Sequence, residues 1–303
     1  MNTSVNRRAF LAGAVGAATL AAMSRPGMAV PAKQGPWISV FSKHLQFLDY
    51  KQLAKTCREL GLDGVDLTVR DKGHVLPKNV ARDLPAAVEA LRAEGLDVPM
   101  ITTALNSGDD PDARPILEAA SKLGIPYFRI GGLTYDANGE ILAQLARYTE
   151  QLRGLAKLAE ELNLSAGYHN HSGTGQVGGP VWDLHRMIEA IQSPRFGSNY
   201  DIGHAKVEGA FGDWQITARL MAPHVKMMAV KDFVWEKDKP KWVPLGSGVV
   251  QFPEVFRIMR ASGFAGPVSI HVEYKTANDD ALLEDLRKAA VTLRGYLKDA
   301  GYA

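Results

Sequence analysis

The chain has 303 residues, of which 46% are hydrophobic and 22% charged, and its formal net charge is +2. Proteins that bind nucleic acid concentrate Lys and Arg on one face. Here 35 basic residues are balanced by 33 acidic ones, with no basic run, which argues against a nucleic-acid ligand. The single cysteine, Cys57, lies at helical spacing among apolar residues, so we expect a buried thiol and no intrachain disulfide.

Residues 1–29 have the order of regions found in an export signal. Arg7 and Arg8 precede an Ala/Gly-rich apolar run that ends near Ala22, and small residues surround Met28 and Ala29. The paired arginines resemble a twin-arginine signal. The run is shorter than the roughly 20 apolar residues that a membrane span needs. We therefore predict an exported or periplasmic protein without a stable membrane anchor, whose net charge falls from +2 to −1 when three arginines and no acidic residue are removed.

From Trp37 onwards, short β-branched runs alternate with amphipathic helical stretches. This alternation is typical of parallel strands joined by crossover helices. Eight strands are predicted, at 38–41, 64–69, 98–103, 127–130, 164–169, 196–200, 225–231 and 268–272. Eight is the number that closes a (β/α)8 barrel, and no linker divides the chain. The sequence therefore predicts an α/β fold, a single (β/α)8 TIM barrel, over residues 37–303.

Four helical stretches end in the same way. Gly61, Gly95, Gly124 and Gly263 each follow a helix and precede an apolar residue and a strand. A glycine in this place adopts the left-handed conformation that ends a helix. The repetition supports a repeated βα unit.

The long connections come after strands two, five and seven, at residues 70–85, 171–180 and 232–250. Loops that follow barrel strands build the active site in this architecture. The last one places Trp235 and Trp242 among charged residues. Two interpretations remain open, a solvated loop and a lid whose tryptophans stack on a sugar ring.

Polar side chains that can bind metal or move protons accumulate at the ends of four strands. In chain order they are His169, His171, Asp201, His204, Lys231, His271 and Glu273. Because strand side chains alternate, His169 and His171 share a face, as do His271 and Glu273. Burying such groups without partners is costly, so we expect them to face one another at the mouth of the barrel, the carboxyl end of its strands. They predict a metal site or a catalytic cluster.

These strand ends resemble those of the xylose-isomerase-like sugar isomerases and epimerases. In that family strand five ends in Glu, strand six in Asp-x-x-His, strand seven has His two residues before Lys-Asp, and strand eight ends in Glu. The resemblance implies one divalent metal held by these four residues, and glutamates that move protons through an enediolate. It extends to the glycine-rich segment 246–250. The matching positions here are His169, Asp201, Ala229 and His271, so three of the four differ from the pattern.

Two interpretations of this altered site remain open. In the first, His169, Asp201 and His271 hold a divalent metal (Mn, Zn, Fe, Co or Mg) that polarises a carbonyl, with His204 as a further ligand or a substrate contact. In the second, no metal is bound, the histidines act as acid and base, and Lys231 stabilises an oxyanion.

Either site suits proton abstraction next to the carbonyl of a free sugar or keto-sugar, with His171, His204 or Glu273 moving the proton. We expect an isomerase or epimerase. A keto-sugar lyase or keto-glycoside-cleaving enzyme is the first alternative, since the same enolate expels a leaving group at the β position. A non-catalytic sugar-binding barrel is the second alternative.

A further set of residues is expected to contact substrate, namely Lys43, Arg70, His74, Arg129, Trp235 and Trp242. Lys43 and Arg70 suit either sugar hydroxyls or an anionic group, and the alternative for each is a barrel-layer or loop residue. We expect a small-molecule sugar or keto-sugar as the partner, and no glycine-rich phosphate cradle followed by Lys is present, so a phosphorylated substrate is not indicated. Nothing in it specifies an oligomeric state.

Overall fold

A computed structural model describes residues 35–302, and the predicted signal segment 1–29 lies outside these described residues. Eight parallel strands form a closed barrel: β1 (Ile38–Phe41), β2 (Gly64–Thr68), β3 (Asp97–Thr102), β4 (Tyr127–Ile130), β5 (Ser165–His169), β6 (Phe196–Asp201), β7 (Val225–Val230) and β10 (Val268–Ile270). Their order around the barrel is β1-β10-β7-β6-β5-β4-β3-β2. The predicted (β/α)8 architecture is confirmed, and each predicted strand is found within two residues of its expected bounds.

Nine α-helices accompany the strands within residues 35–302: α1 (Tyr50–Glu59), α2 (Val80–Ala93), α3 (Ala113–Lys122), α4 (Ile141–Glu161), α5 (Trp182–Ile191), α6 (Ile202–Glu208), α7 (Asp213–Met221), α8 (Phe252–Ala261) and α9 (Asp279–Asp299). Each helix that packs on the barrel buries one apolar face. In α1 that face contains Leu53 and Cys57, both fully buried, and burial raises the pKa of the Cys57 thiol to about 12. None of the described helices is both long and apolar enough to cross a membrane.

The predicted helix ends are confirmed. Gly61, Gly95, Gly124 and Gly263 all have positive φ, between 71° and 81°. A residue with a Cβ adopts this conformation at a steric cost, so glycine is favoured at these helix ends. The chain thereby reverses into the next strand in one or two residues and keeps the helices tightly coupled to the barrel.

The segment after β7 departs from the expected loop. It contains an antiparallel hairpin, β8 (Asp232–Glu236) and β9 (Lys239–Val243), with Phe233 paired to Trp242. Lys237 and Asp238 at the turn have φ of 49° and 62°, the left-handed pair that a tight hairpin turn requires. The periodicity of this segment is concealed by its charged residues, which a two-stranded ribbon outside the barrel tolerates because its outer face is solvated.

Strand register shows which side chains enter the barrel, because residues paired in a parallel sheet point to the same face. The register pairs that follow the inner wall near the mouth are Phe41 with Asp66, Thr102 with Arg129, His169 with Asn199, and Asp201 with Ala229. Lys231 and His271 come two residues after the paired Ala229 and Ser269, on the same face. Every strand end therefore contributes an inward side chain.

Candidate active site

Asp201 is anchored through its backbone and through one of its two carboxylate oxygens. Its backbone N–H donates to Asn170 Oδ1 at 2.7 Å, and its backbone carbonyl accepts from Asn170 Nδ2 at 3.0 Å. Its Oδ1 caps α6 by accepting from the backbone N–H of His204 at 3.0 Å. This leaves Oδ2, which is buried and accepts no hydrogen bond of good geometry, directed at the cationic and imidazole groups around it.

Lys231 lies at the centre of the site. Its Nζ is 2.6 Å from His204 Nε2, 3.1 Å from Asp201 Oδ2 and 3.8 Å from Glu273 Oε1. Since an ammonium only donates, His204 Nε2 must accept, and its Nδ1–H then donates to Ser172 Oγ at 2.8 Å. Only 3% of Lys231 is exposed. The buried positive charge of Lys231 therefore lies among three side chains that are each able to bind a metal ion.

The imidazoles of the site are held neutral. Burial lowers the pKa of His169 and His204 well below the usual range, with the Arg129 and Lys231 charges adding to the effect. Burial likewise lowers the pKa of His271 to about 3. A neutral imidazole can ligate a metal or accept a proton, whereas an imidazolium can do neither.

Glu273 remains ionised beside these neutral rings. Its Oε1 lies 3.8 Å from His271 Nδ1. His271 holds the pKa of Glu273 well below its usual range, against the opposing effect of burial, and Lys231 adds to the lowering. His271 also stacks on His169, with ring centroids 5.7 Å apart. We call His169, Asp201, His204, Lys231, His271 and Glu273 the histidine half of the mouth.

The opposite side of the mouth is cationic and aromatic. The guanidinium carbons of Arg70 and Arg129 each lie 5.4 Å from the centroid of the Phe41 ring. The same ring stacks on His271, with centroids 4.6 Å apart. We call Phe41, Arg70 and Arg129 the arginine half. Phe41 therefore joins the two halves.

The hairpin covers the histidine half. Trp242 lies with its ring 4.8 Å from Lys231 Nζ and meets the edge of His204 with centroids 5.2 Å apart. Trp235 instead packs its edge on Phe233 and is 44% exposed. Of the two predicted stacking tryptophans, the structure thus brings only Trp242 to the site.

Asp232 fixes the base of this hairpin. Its carboxylate accepts from the backbone N–H groups of Phe233, Gly246, Gly248 and Val250, at 2.8 to 3.1 Å. A Cβ at position 248 would collide with Asp232 Oδ1 and the carbonyl of Phe233, so only glycine fits there.

Three other predicted residues lie at the rim or below it. Lys43 is exposed. His74 has its Nδ1 3.4 Å from Thr68 Oγ1 and its Nε2 3.2 Å from the carbonyl of Leu45, which indicates a loop-bracing role. His171 is exposed, donates from Nδ1 to the carbonyl of Ser172 at 2.8 Å, and packs on His204 with centroids 3.8 Å apart.

The described residues contain two groups that have the composition and spacing of a metal site. Ligand atoms of His169, Asp201 and His204 all lie within 4.8 Å of one another. His271, expected as the third ligand, is not in this group, although its Nε2 is buried without a partner. The second group is His185, Glu189 and His224, and it involves none of the residues of the mouth.

The sequence matches the xylose isomerase-like TIM-barrel family over residues 54–294, which is most of the chain. The chain belongs to that family. It is 26% identical over 278 residues to L-ribulose-5-phosphate 3-epimerase UlaE of Escherichia coli K12, covering 84% of this chain and 91% of that protein. The relatives named as epimerases support the expectation of an isomerase or epimerase.

Solved structures share the fold at lower identity. One is 3-keto-D-glucoside 4-epimerase YcjR of E. coli (TM-score 0.68, 15% identity, 86% of this chain and 99% of that one). Another is the probable 3-DHS dehydratase AsbF of Bacillus anthracis (TM-score 0.67, 15% identity, 85% and 98%). These two structures share the barrel architecture of this chain.

Several site residues escaped the sequence analysis. Asn170 and Ser172 flank predicted residues but act through hydrogen bonds whose partners are 31 and 32 residues away. Phe41 looks like an ordinary core residue. The alternation of side chains along a strand places Phe41 on the inner face of β1, as it places Asp201 on the inner face of β6. This alternation is the sequence signal that could have identified Phe41.

Proposed function

We propose that this family member is an isomerase or epimerase that moves a proton at the carbon next to the carbonyl of a sugar or keto-sugar. The observation that carries the proposal is the buried ammonium of Lys231, 2.6 Å from His204 Nε2 and 3.1 Å from Asp201 Oδ2. A fixed cation in a water-poor site stabilises the negative charge that develops on oxygen when the adjacent carbon loses its proton.

The residues divide the work as follows. Lys231 donates to the substrate carbonyl oxygen and stays charged as the enediolate forms. The ionised carboxylate of Glu273, 30% exposed at its side chain, takes the proton from carbon. His171, at the exposed rim next to His204, exchanges protons with solvent or returns one to the opposite face. Trp242 limits the access of water to Lys231.

The donor set of the mouth also fits a divalent metal. His169 and His204 are neutral, and Asp201 Oδ2 is buried without a hydrogen bond. We propose that His169 and Asp201 hold the ion, with a third ligand from His204 or His271. When bound, such an ion polarises the carbonyl as a Lewis acid. It shares Asp201 and His204 with Lys231, so the two cations compete.

A second candidate reaction is elimination. The two positions at which the family resemblance implies glutamates are His169 and His271, whose rings stack face to face at an interplanar angle of 18°. In this chain, two stacked neutral imidazoles occupy the positions at which the resemblance implies a pair of carboxylates, one for each face of the reacting carbon. An enediolate formed by Glu273 then expels a group at the β position, as a keto-sugar lyase would.

The test is hydrogen exchange at carbon. A panel of ketopentoses, ketohexoses and 3-keto-glycosides is incubated in D2O with the enzyme, and NMR follows deuterium entry next to the carbonyl and loss of any leaving group. We expect Lys231→Met and Glu273→Gln to lower exchange at least about 100-fold. Lys226→Met, on the same strand but facing out of the barrel, is the matched control.

If Lys231→Met catalyses deuterium exchange as fast as the wild type, the role assigned to the Lys231 ammonium is refuted. Retention of the leaving group during exchange favours epimerisation, and its release favours elimination. Metal content is measured in protein that has His185→Ala and His224→Ala, so that any ion counted belongs to the mouth.

We also propose that residues 1–29 direct export. The test is fractionation of cells that express either the full chain or a chain without that segment.

A further inference from the structure

The arginine half of the mouth contains two guanidinium groups without a partner. In the described part of the chain, neither Arg70 nor Arg129 makes a side-chain hydrogen bond or an ion pair within 4.0 Å, and each guanidinium lies over the Phe41 ring. Nη1 of Arg129 is completely buried. Two like charges therefore lie against one aromatic ring.

Asp66 is the carboxylate closest in the register, but it is already committed. Its Oδ1 accepts from Thr102 Oγ1 at 2.7 Å and its Oδ2 from Ser269 Oγ at 2.9 Å. It is fully buried beneath the mouth, and burial raises its pKa to about 6. Asp66 thus provides distant compensation and leaves the guanidinium donors unused.

A purely structural role does not account for this arrangement. A cation–π contact offsets only part of the cost of withdrawing a guanidinium from water. Surface ion pairs elsewhere in the chain use arginine differently, as where Arg114 meets Glu161 through two bonds of 2.7 and 2.9 Å. Fork-shaped donors left open inside a binding site are the usual recognition element for a carboxylate or a phosphate.

We propose that the substrate is an anionic sugar, whose carboxylate or phosphate binds Arg70 and Arg129 while its carbonyl faces Lys231. This inference rests on the proposed function, since it needs the carbonyl end to lie in the histidine half. Phe41 forms the floor between the two groups, because its ring touches both guanidiniums and His271. Neutral sugars leave the arginine half uncompensated and bind weakly.

The test compares three ligands that differ only at one carbon, D-fructose, D-fructuronate and D-fructose 6-phosphate, by isothermal titration calorimetry with the full chain. We expect at least one anionic sugar to bind 10-fold or more tightly than fructose, and the better of the two identifies the anion. Arg70→Gln and Arg129→Gln should each weaken binding of that anionic sugar more than binding of fructose, and so abolish most of this preference. Arg147→Gln, another guanidinium over an aromatic ring but outside the mouth, should leave it intact.

Thermal unfolding of the unliganded protein separates binding from structure. Arg129→Gln should raise the melting temperature or leave it unchanged, because it removes a buried charge that has no ion-pair partner within 4.0 Å, whereas loss of a structural arginine would lower it. Equal binding of the three sugars, or equal loss for all three in both variants, overturns the proposal. Binding is measured without turnover, so the two proposals can fail separately. Deuterium exchange that occurs only with neutral sugars would refute the anionic-substrate inference and support the proposed function. Tighter binding of an anionic sugar with no deuterium exchange would support the anion site and refute the proposed function.

Discussion

Replacing Lys231 by methionine should increase the affinity of the mouth for a divalent metal. Nζ of Lys231 lies 3.1 Å from Asp201 Oδ2 and 2.6 Å from His204 Nε2, two of the atoms that an ion would use. An ion about 2.1 Å from Asp201 Oδ2 would be within about 5.2 Å of Nζ. The ammonium and the ion would then repel each other strongly.

The magnitude follows from Coulomb's law. For charges of one and two at about 5.2 Å and an effective dielectric constant near 20, the repulsion is about 6 kcal/mol. The lysine side chain can rotate away from an arriving ion, so only part of this energy opposes binding. We therefore expect Lys231→Met to tighten metal binding about 10- to 100-fold.

The assay is calorimetric titration with Mn²⁺ and Zn²⁺ in protein that also has His185→Ala and His224→Ala, which removes the second group of metal-capable residues. His169→Ala should eliminate the tightened binding and so confirm that the ion occupies the mouth. Unchanged or weaker metal affinity in Lys231→Met would refute the reasoning, since it would mean that the two cations do not share ligands.

Three further predictions concern the hairpin and the response to acid. Trp242→Ala should slow deuterium exchange about tenfold, because it uncovers Lys231, and cost about 2 kcal/mol of unfolding free energy, whereas Trp235→Ala at the exposed position should change neither noticeably. Asp232→Asn removes a charged acceptor from four backbone N–H groups and should cost about 2–4 kcal/mol in urea unfolding; a loss below about 0.5 kcal/mol would show that the loop is held otherwise. Burial lowers the pKa of His44 to about 4, against 6.5 unfolded, so the unfolded chain binds the proton first, and this imidazole should account for about 2 kcal/mol of the stability lost between pH 7 and 4.5. His44→Gln, which keeps an acceptor for the backbone N–H of Val272, should reduce the loss of stability over this pH range by about that amount, and an equally steep curve would contradict the prediction.

The spacing of apolar residues and the glycines at helix ends were sufficient to predict the barrel. The buried faces of the helices repeat every three to four residues, as at Leu53 and Cys57, and four glycines end helices with positive φ. These signals are local, and each βα unit repeats them. The hairpin after β7 was missed because its pairing, Phe233 with Trp242, depends on a turn of two non-glycine residues that carries no clear local signal.

The site was predictable as a set of inward positions but not as contacts. Alternation along strands placed Asp201, Lys231 and His271 in the mouth. It gave no distances, so the closeness of Lys231 to His204, and the separate stacking of His271 on Phe41, appear only in three dimensions. The unpaired state of Arg129 is likewise a property of what surrounds it, which no single sequence position encodes.

Asp232 accepts hydrogen bonds from several parts of the segment after β7, and this arrangement affects how the barrel could be modified. Residues 246–250 and the start of the hairpin converge on that one carboxylate, while Lys231, next to it in the chain, points the opposite way into the mouth. The base of the ribbon is therefore fixed by this carboxylate, and its side chain Trp242 packs on the mouth at Lys231 and His204. Hairpins of different length or composition could be exchanged between Asp232 and Gly248 as a cassette, so that ligand preference is retuned while the strands and the ammonium remain as they are.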